Sequence, residues 1–273
     1  MLRLYATVQE FLNHPTGLEV DDLVPDGTDE QQTAELQLVL QAASSAIDQW
    51  VYYPLYAHQH TETRQARPKQ SGGLEVRLNH FPIQQIVSAQ WRQTARDAWH
   101  PIDTTCIDLF GEFEDGHKYI AYDAAYSATY GWGQPALTVQ TTYVAGYANT
   151  LLTADVQAGT NVLTVDNTMG INQGDIIKIY DGANYEEETV DSFTDKTITL
   201  SDSLLFDHSA GVRVSQLPDV VPLCCILIAA YLVKERRAGG SVMMGGTVES
   251  MNVIDAEDMQ LVRQFLQPLR RVI

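Results

Sequence analysis

The sequence predicts an α+β protein: a small helical bundle with an antiparallel sheet, plus an inserted all-β module of the barrel or sandwich kind. Three observations predict it. Apolar residues recur at spacings of three and four near both ends of the chain, which marks helices. Residues 60–147 read instead as short β runs punctuated by Gly and Pro. Finally, "TTYVAGYANTLLTADVQAGTNVLTV" (141–165) closes one strand pattern at Tyr147 and opens another with almost no linker. The expected division is a host domain over 1–149 and 217–273, interrupted by a β-rich module over 150–216.

The first helix is expected in "ATVQEFLNH", where Thr7 and Glu10 fit a capping box and Val8, Phe11 and Leu12 form an apolar side. A longer helix follows. Thr28 and Gln31 again fit a capping box, and Leu36, Val39, Leu40, Ala43, Ile47, Trp50 and Val51 line one face. Pro54 is expected to end it. The sheet comes next, in "LEVRLNHFPIQQIVSAQWR", "KYIAYD" and "ALTVQTTYVAG". Residues 151–216 then place "NVLTV", "DIIKIYD", "EETVDSF", "KTITL" and "GVRVS" between turn signals at roughly ten-residue spacing, the rhythm of a compact β module. After Pro218, with Asp219 able to cap and Pro222 tolerated in a first turn, "LCCILIAAYLV" reads as a mostly buried helix. Lys234, Arg236 and Arg237 suit its negative end, and Gly239–Gly240 stop it. "GGSVMMGGTVESMN" reads as a loop. A last helix is expected from near Asp255, with Met259, Val262, Phe265, Leu266 and Leu269 as its stripe and Pro268 limiting its length.

Composition bounds the function. The chain has 273 residues, 45% of them hydrophobic, enough for one large or two ordinary domains with a real core. Its net charge of -18 argues against general nucleic-acid binding, which depends on Lys and Arg at phosphates, and against docking on an anionic membrane. The charge is uneven: residues 151–216 hold eleven Asp/Glu against three Lys/Arg, whereas 218–273 hold six of each. An acidic partner is therefore expected at the C-terminal part. Cys106, Cys224 and Cys225 form no Cys-x-x-Cys pair, which suits a reduced intracellular site of synthesis. The N-terminus lacks the pattern of a signal peptide, and the apolar run 220–233 falls short of the roughly 20 residues that span a bilayer.

Little in the sequence points to chemistry. His58 and His60 in "AHQH" lie two apart, as on one strand face, but no third metal ligand is legible nearby, so surface histidines are the expectation. Glu186, Glu187, Glu188 and Asp191 in "NYEEETVD" lack the spacing of a Ca²⁺ loop and are expected on a solvated acidic face. "AGGSVMMGG" lacks the Gly-Lys-Ser/Thr ending of a phosphate loop; its Met243 and Met244 suit either a partner's irregular surface or a plain flexible connection. The aromatics of "YDAAYSATYGWG" fit an interface or a sheet core equally. Neither a Gly-x-Ser-x-Gly elbow nor a His-Glu-x-x-His pair occurs. No enzymatic activity, cofactor or metal is expected.

The phrases "YATVQEFLNH", "ELQLVLQAASSAIDQWVYYPL", "RLNHFPIQQIVSAQW", "TTYVAGYA" and "LPDVVPLCCILIAAYLVKERRAGG", in that order, resemble the head–tail connector (adaptor) proteins of tailed bacteriophages. In that family the Tyr-x-x-Gly-Tyr strand runs within a few residues into a hydrophobic-Pro step and a long apolar helix. Here about 66 residues intervene, which is the basis for reading 150–216 as an insertion. The insertion in turn looks like the small β modules of phage structural proteins.

The resemblance implies a structural virion protein of the neck, between capsid and tail, made in the bacterial host cytoplasm. It implies a homo-oligomeric ring, typically twelve-fold, under the portal. Such a ring extends the DNA channel, lets double-stranded DNA pass without tight binding, and offers a platform to a tail terminator or the next neck protein. A head-to-tail interface whose rotation closes gives such a ring. The inserted module is expected on the outer rim. The segment 239–273 is the expected portal-docking element, with Met243, Met244, Met259, Phe265, Arg263, Arg270 and Arg271 as its candidates. Truncation after Arg237 is expected to leave a folded subunit that no longer joins the portal. Two other readings stay open: another neck, tail or baseplate protein, or a carbohydrate-binding or hydrolytic protein whose site lies on the β module.

Overall fold

The computed structural model describes residues 4–18, 23–68, 73–110, 118–121, 137–182, 184–237 and 259–270. Their helices are α1 (Val8–Asn13), α2 (Asp29–Val51), α3 (Val220–Arg237) and α4 (Gln260–Leu266). Strands β1 (His58–Pro68), β2 (Leu74–Arg77), β3 (Ile83–Arg92), β4 (His100–Ile102), β5 (Ile107–Phe110), β6 (Lys118–Ala121) and β7 (Leu137–Ala145) form one sheet. Strands β8 (Asn149–Leu151), β9 (Val162–Thr164), β10 (Ile176–Tyr180), β11 (Tyr185–Phe193), β12 (Thr197–Leu200) and β13 (Arg213–Ser215) form a second. The class is α+β with antiparallel sheets. No helix among the described residues is long and apolar enough to cross a membrane.

Two compact units result. One holds the described parts of Met1–Leu55, Asn149–Thr168 and Gln173–Ile273; the other holds those of Tyr56–Ala148 and Met169–Asn172. This line differs from the expected one at 150 and 216. The helices of the expected host share a unit with the six-stranded sheet, while the host's own sheet forms the other unit. The physical reason lies in bonds from α1 and the N-terminal segment to the second sheet. Arg213 of β13 pairs with Glu10 of α1, and Asn149 Nδ2 donates to Leu4 O at 2.9 Å.

In the first unit both capping boxes form. Thr7 Oγ1 accepts from the Glu10 amide while Glu10 Oε2 accepts from the Thr7 amide, and Thr28 and Gln31 repeat the arrangement on α2. The predicted face of α2, from Leu36 to Val51, is buried. The helix stops at Val51 because Tyr52 turns left-handed with φ 70°, two residues ahead of Pro54. On α3, Val221, Cys224, Cys225, Ile228, Ala229 and Val233 are buried. α2 and α3 pack together although far apart in sequence. At that seam Ser44 Oγ donates to Leu40 O at 2.8 Å, accepts from the Tyr5 amide at 3.0 Å and lies 3.4 Å from Cys225 Sγ. Burial pushes both Cys224 and Cys225 thiols up to about 12.

The six-stranded sheet runs β8-β13-β10-β11-β12-β9, and all five strands predicted within 151–216 are present. Its edges come together: Thr153 N donates to Thr164 O and Asp166 N to Leu151 O, so the sheet curls back on itself. Alternate residues point inward, placing Leu163, Ile177, Ile179, Val190, Ile198 and Val214 in a core.

The second unit is the seven-stranded sheet, ordered β4-β3-β7-β1-β2-β6-β5. Its core gathers Ala66, Leu74, Val76, Leu78, Leu137, Val139 and Tyr143. Gly146, in "YVAGYA", sits at φ 108°, and a Cβ there would fall 2.4 Å from Tyr56 O; only glycine admits that approach.

Candidate functional site

The expected docking segment is partly visible. Met243, Met244, Arg271 and the expected helix start near Asp255 lie outside the described residues. α4 begins at Gln260, with Met259 as its N-cap position, and Pro268 falls in a 3-10 turn over Gln267–Leu269. Met259, Val262 and Leu266 are buried, Phe265 and Arg263 half-buried. Arg270 is drawn onto its own subunit. Its guanidinium lies 4.4 Å from the Trp50 ring centroid and 5.0 Å from that of Tyr52, and Nη2 donates to Tyr52 Oη at 2.7 Å. Tyr53 Oη donates to Leu269 O at 2.9 Å. This part of the segment is therefore core and latch. Truncation after Arg237 would uncover α2 and α3, so it tests folding as well as docking, contrary to the sequence-based expectation.

A second cluster lies in the seven-stranded unit. His58 and His60 share a face of β1, and the β2–β3 turn adds His80, which spacing along the chain could not reveal. His60 stacks on His80, 3.6 Å between centroids at 15°, while His58 packs against His60 at 3.7 Å but tilted by 56°. Among the described residues no group of three or more His, Cys, Asp or Glu is arranged to hold a metal ion. Glu62 closes the stack, facing His80 Nδ1 and Arg64 Nη2 at 2.9 Å each and accepting from Tyr143 Oη and the Asn79 amide. Burial would raise Glu62, but these hydrogen bonds outweigh it and draw the carboxyl down to about 2. Burial, then His58 and His80, holds His60 down to about 4, against the opposing pull of Glu62. Its Nε2 is buried with no hydrogen-bond partner among the described residues. The same forces keep Tyr143 protonated: burial first, then Glu62, raises it well above the usual phenol range. The arrangement couples the β2–β3 turn to β1 and β7 through packed imidazole rings and the hydrogen bonds of Glu62.

The third cluster corrects the expected solvated face of 186–191 at one residue, Glu186, which is buried, whereas Glu187 and Asp191 are exposed. Strand alternation sends Glu187 outward, where Tyr185 Oη donates to it, but sends Glu186 inward. There Glu186 Oε1 lies 2.9 Å from His208 Nε2, while His208 Nδ1 lies 3.0 Å from Asp181 Oδ2. Each ring nitrogen of His208 thus faces a carboxylate oxygen at hydrogen-bond distance. Glu186 also accepts from the amides of Leu205 and Phe206, at 2.8 and 3.0 Å. The sequence signal was faint: His208 lies 22 residues beyond Glu186 and 27 beyond Asp181, with no motif linking them.

No protein-family model matches this sequence, and no curated protein matches it.

Proposed function

We propose that this chain is a head–tail connector (adaptor) of a tailed bacteriophage. In this reading it is a structural, non-enzymatic virion component of the neck that rings, twelve-fold, beneath the portal. Its helices and seven-stranded sheet carry the phrases of the family likeness, and residues 150–216, whose sheet shares a unit with the helices, are the inserted β module, expected at the ring's outer rim. The observation that carries the proposal is the packing of α2 on α3, two segments about 180 residues apart whose phrases bear the family likeness. Had they packed separately, the likeness would have lost its structural sense.

Charge supports the channel role. A net charge of -18 repels phosphates, so duplex DNA passes a lumen of this sign without adhering. In this reading the C-terminal segment supplies the portal contact, with Met243, Met244 and Arg271 among its candidate residues and α4 latched onto its own subunit through Arg270.

The test is native mass spectrometry and electron microscopy of the full chain, alone and with the portal protein of the phage that encodes it. A closed ring, formed alone or on the portal, is the expected result. A chain that stays monomeric and fails to bind that portal refutes the proposal, as does duplex DNA affinity tighter than about micromolar at physiological salt, the range of non-specific binders.

A further inference from the structure

Between β12 and β13 the chain makes a loop whose tip is built unlike ordinary surface turns. Leu204 is buried, yet the next two residues point out: Leu205 is 74% exposed and Phe206 41%. Solvent-facing Leu and Phe side by side are expected to be on loose backbone, but here the backbone is clamped. Glu186 takes both tip amides, and His208, wholly buried, bridges Glu186 to Asp181. On the near side of the tip, Leu204 N donates to Thr160 O and Gly159 N to Leu204 O; on the far side, His208 and Val156 exchange both backbone bonds. Asp207 Oδ1 accepts from the Ala158 amide at 2.7 Å. Burying an imidazole and its carboxylate partners to fix a loop is costly unless the polar groups are paired, and here both His208 ring nitrogens and both Glu186 oxygens have partners. The outcome is a rigid apolar knob, the form that interface anchors take.

The surroundings say what the knob can meet. Asp202 and Asp207 flank the tip, and Asp202 and Glu186 are close enough to Glu188 to raise its carboxyl after burial. An acidic collar disfavours an anionic lipid surface and favours a cationic, apolar site. The same chain offers one. Arg270 is held by the Trp50 and Tyr52 rings and a phenol oxygen, none of which neutralises its charge, and Tyr52 is 49% exposed.

We propose that the Leu205–Phe206 knob of one copy docks on the Tyr52–Arg270 patch of a neighbouring copy. This is a heterologous contact, acidic knob to cationic aromatic patch, and it rests on the ring reading above. Phe206 lies against the Tyr52 ring, and the acidic collar faces the Arg270 guanidinium.

The experiment compares the full chain with the Leu205→Asp/Phe206→Asp variant by sedimentation velocity and native mass spectrometry at matched high concentration, with melting curves to show that both are folded. A second arm places Phe206→Cys and Tyr52→Cys together in a Cys106→Ser background and oxidises the sample. The expected result is loss of the oligomer to monomer mass in the Asp variant, and a ladder of disulfide-linked multimers from the cysteine pair. An oligomer unchanged by the Asp pair, or a cysteine pair that gives no ladder, overturns the knob while leaving the connector reading intact. A wild-type chain that is monomeric alone but rings on its portal does the same. A chain that never rings, portal present, removes both. Flotation of a monomeric wild type with neutral phosphatidylcholine vesicles would assign the tip to lipid and overturn the proposal.

Discussion

Glu10 does two jobs with one carboxylate, and separating them gives the sharpest test of how the first unit is held. Oε2 accepts from the Thr7 amide at 2.6 Å and closes the capping box of α1. Oε1 meets Arg213 Nη2 at 2.5 Å and Nε at 3.0 Å, with Glu10 only 4% exposed. Glu10→Gln keeps a side chain that can serve a capping box but removes the charge, leaving the Arg213 cation buried and uncompensated. Breaking one side of such a buried pair costs about 3–5 kcal/mol. Glu10→Ala adds the lost cap, about 1 kcal/mol more. Replacing both partners, Glu10→Gln with Arg213→Met, leaves no stranded charge and should recover most of the loss, a coupling of about 2–3 kcal/mol. Urea unfolding supplies the free energies, and amide exchange in β13 reports the first unit separately from the seven-stranded sheet. If Glu10→Gln melts within about 1 kcal/mol of wild type, or if the two single effects simply add, the pair is not what fastens α1 to the six-stranded sheet.

Three other outcomes follow from the same coordinates. His60 is held at about 4 against an ordinary 6.5, so the unfolded chain takes up its proton first as pH falls, and the seven-stranded unit loses stability from pH 6.5 down to about 4. The full shift would be worth about 3 kcal/mol, and partial solvent access reduces it to about 1; His60→Phe should flatten the melting temperature across that window, and a wild-type profile already flat there contradicts the stack. Glu62, drawn from 4.5 to about 2, adds a further loss only as pH drops below 4.5. Asp48 goes the other way: burial, against hydrogen bonds from Tyr5 and the Leu55 backbone, lifts it to about 6, so its stabilisation is complete below 3.8 and disappears as pH rises through 6. Asp48→Asn should therefore stabilise the first unit at pH above 6 by about 1–2 kcal/mol, and a lowered melting temperature there would refute the assignment. Arg270→Ala removes two cation–π contacts and one hydrogen bond; amide exchange in α4 should quicken about tenfold, the equivalent of 1–1.5 kcal/mol, while exchange in the seven-stranded sheet stays unchanged.

What was legible in the sequence was local. Capping boxes, the seven-residue face of α2, and the five strands within 151–216 are set by spacing of a few residues, and each forms as read. What was not legible depends on residues meeting from far away. Glu10 looked complete as half of a capping box, and nothing in its neighbourhood announced Arg213, 203 positions on. The unit boundary shifted for the same reason, since a module defined by its pattern need not be separate in its contacts. His80 joins His58 and His60 only because the β2–β3 turn folds over β1, and Glu186, sent inward by strand alternation, meets His208 only because the chain returns there 22 residues later. Arg270 read as a cation on offer, whereas the aromatic cluster at the end of α2 takes it up.

The first unit draws its core from stretches at opposite ends of the polypeptide, whereas the seven-stranded sheet comes almost wholly from 56–148. During synthesis the sheet can close while translation continues. The early helices cannot. Tyr5 and Ser44 emerge long before Cys225, and Glu10 long before Arg213, so the apolar side of α2 remains uncovered until α3 has been made. A nascent chain of this design depends on being shielded for that interval, and its yield in a cell should track chaperone supply more closely than the stability of the finished protein.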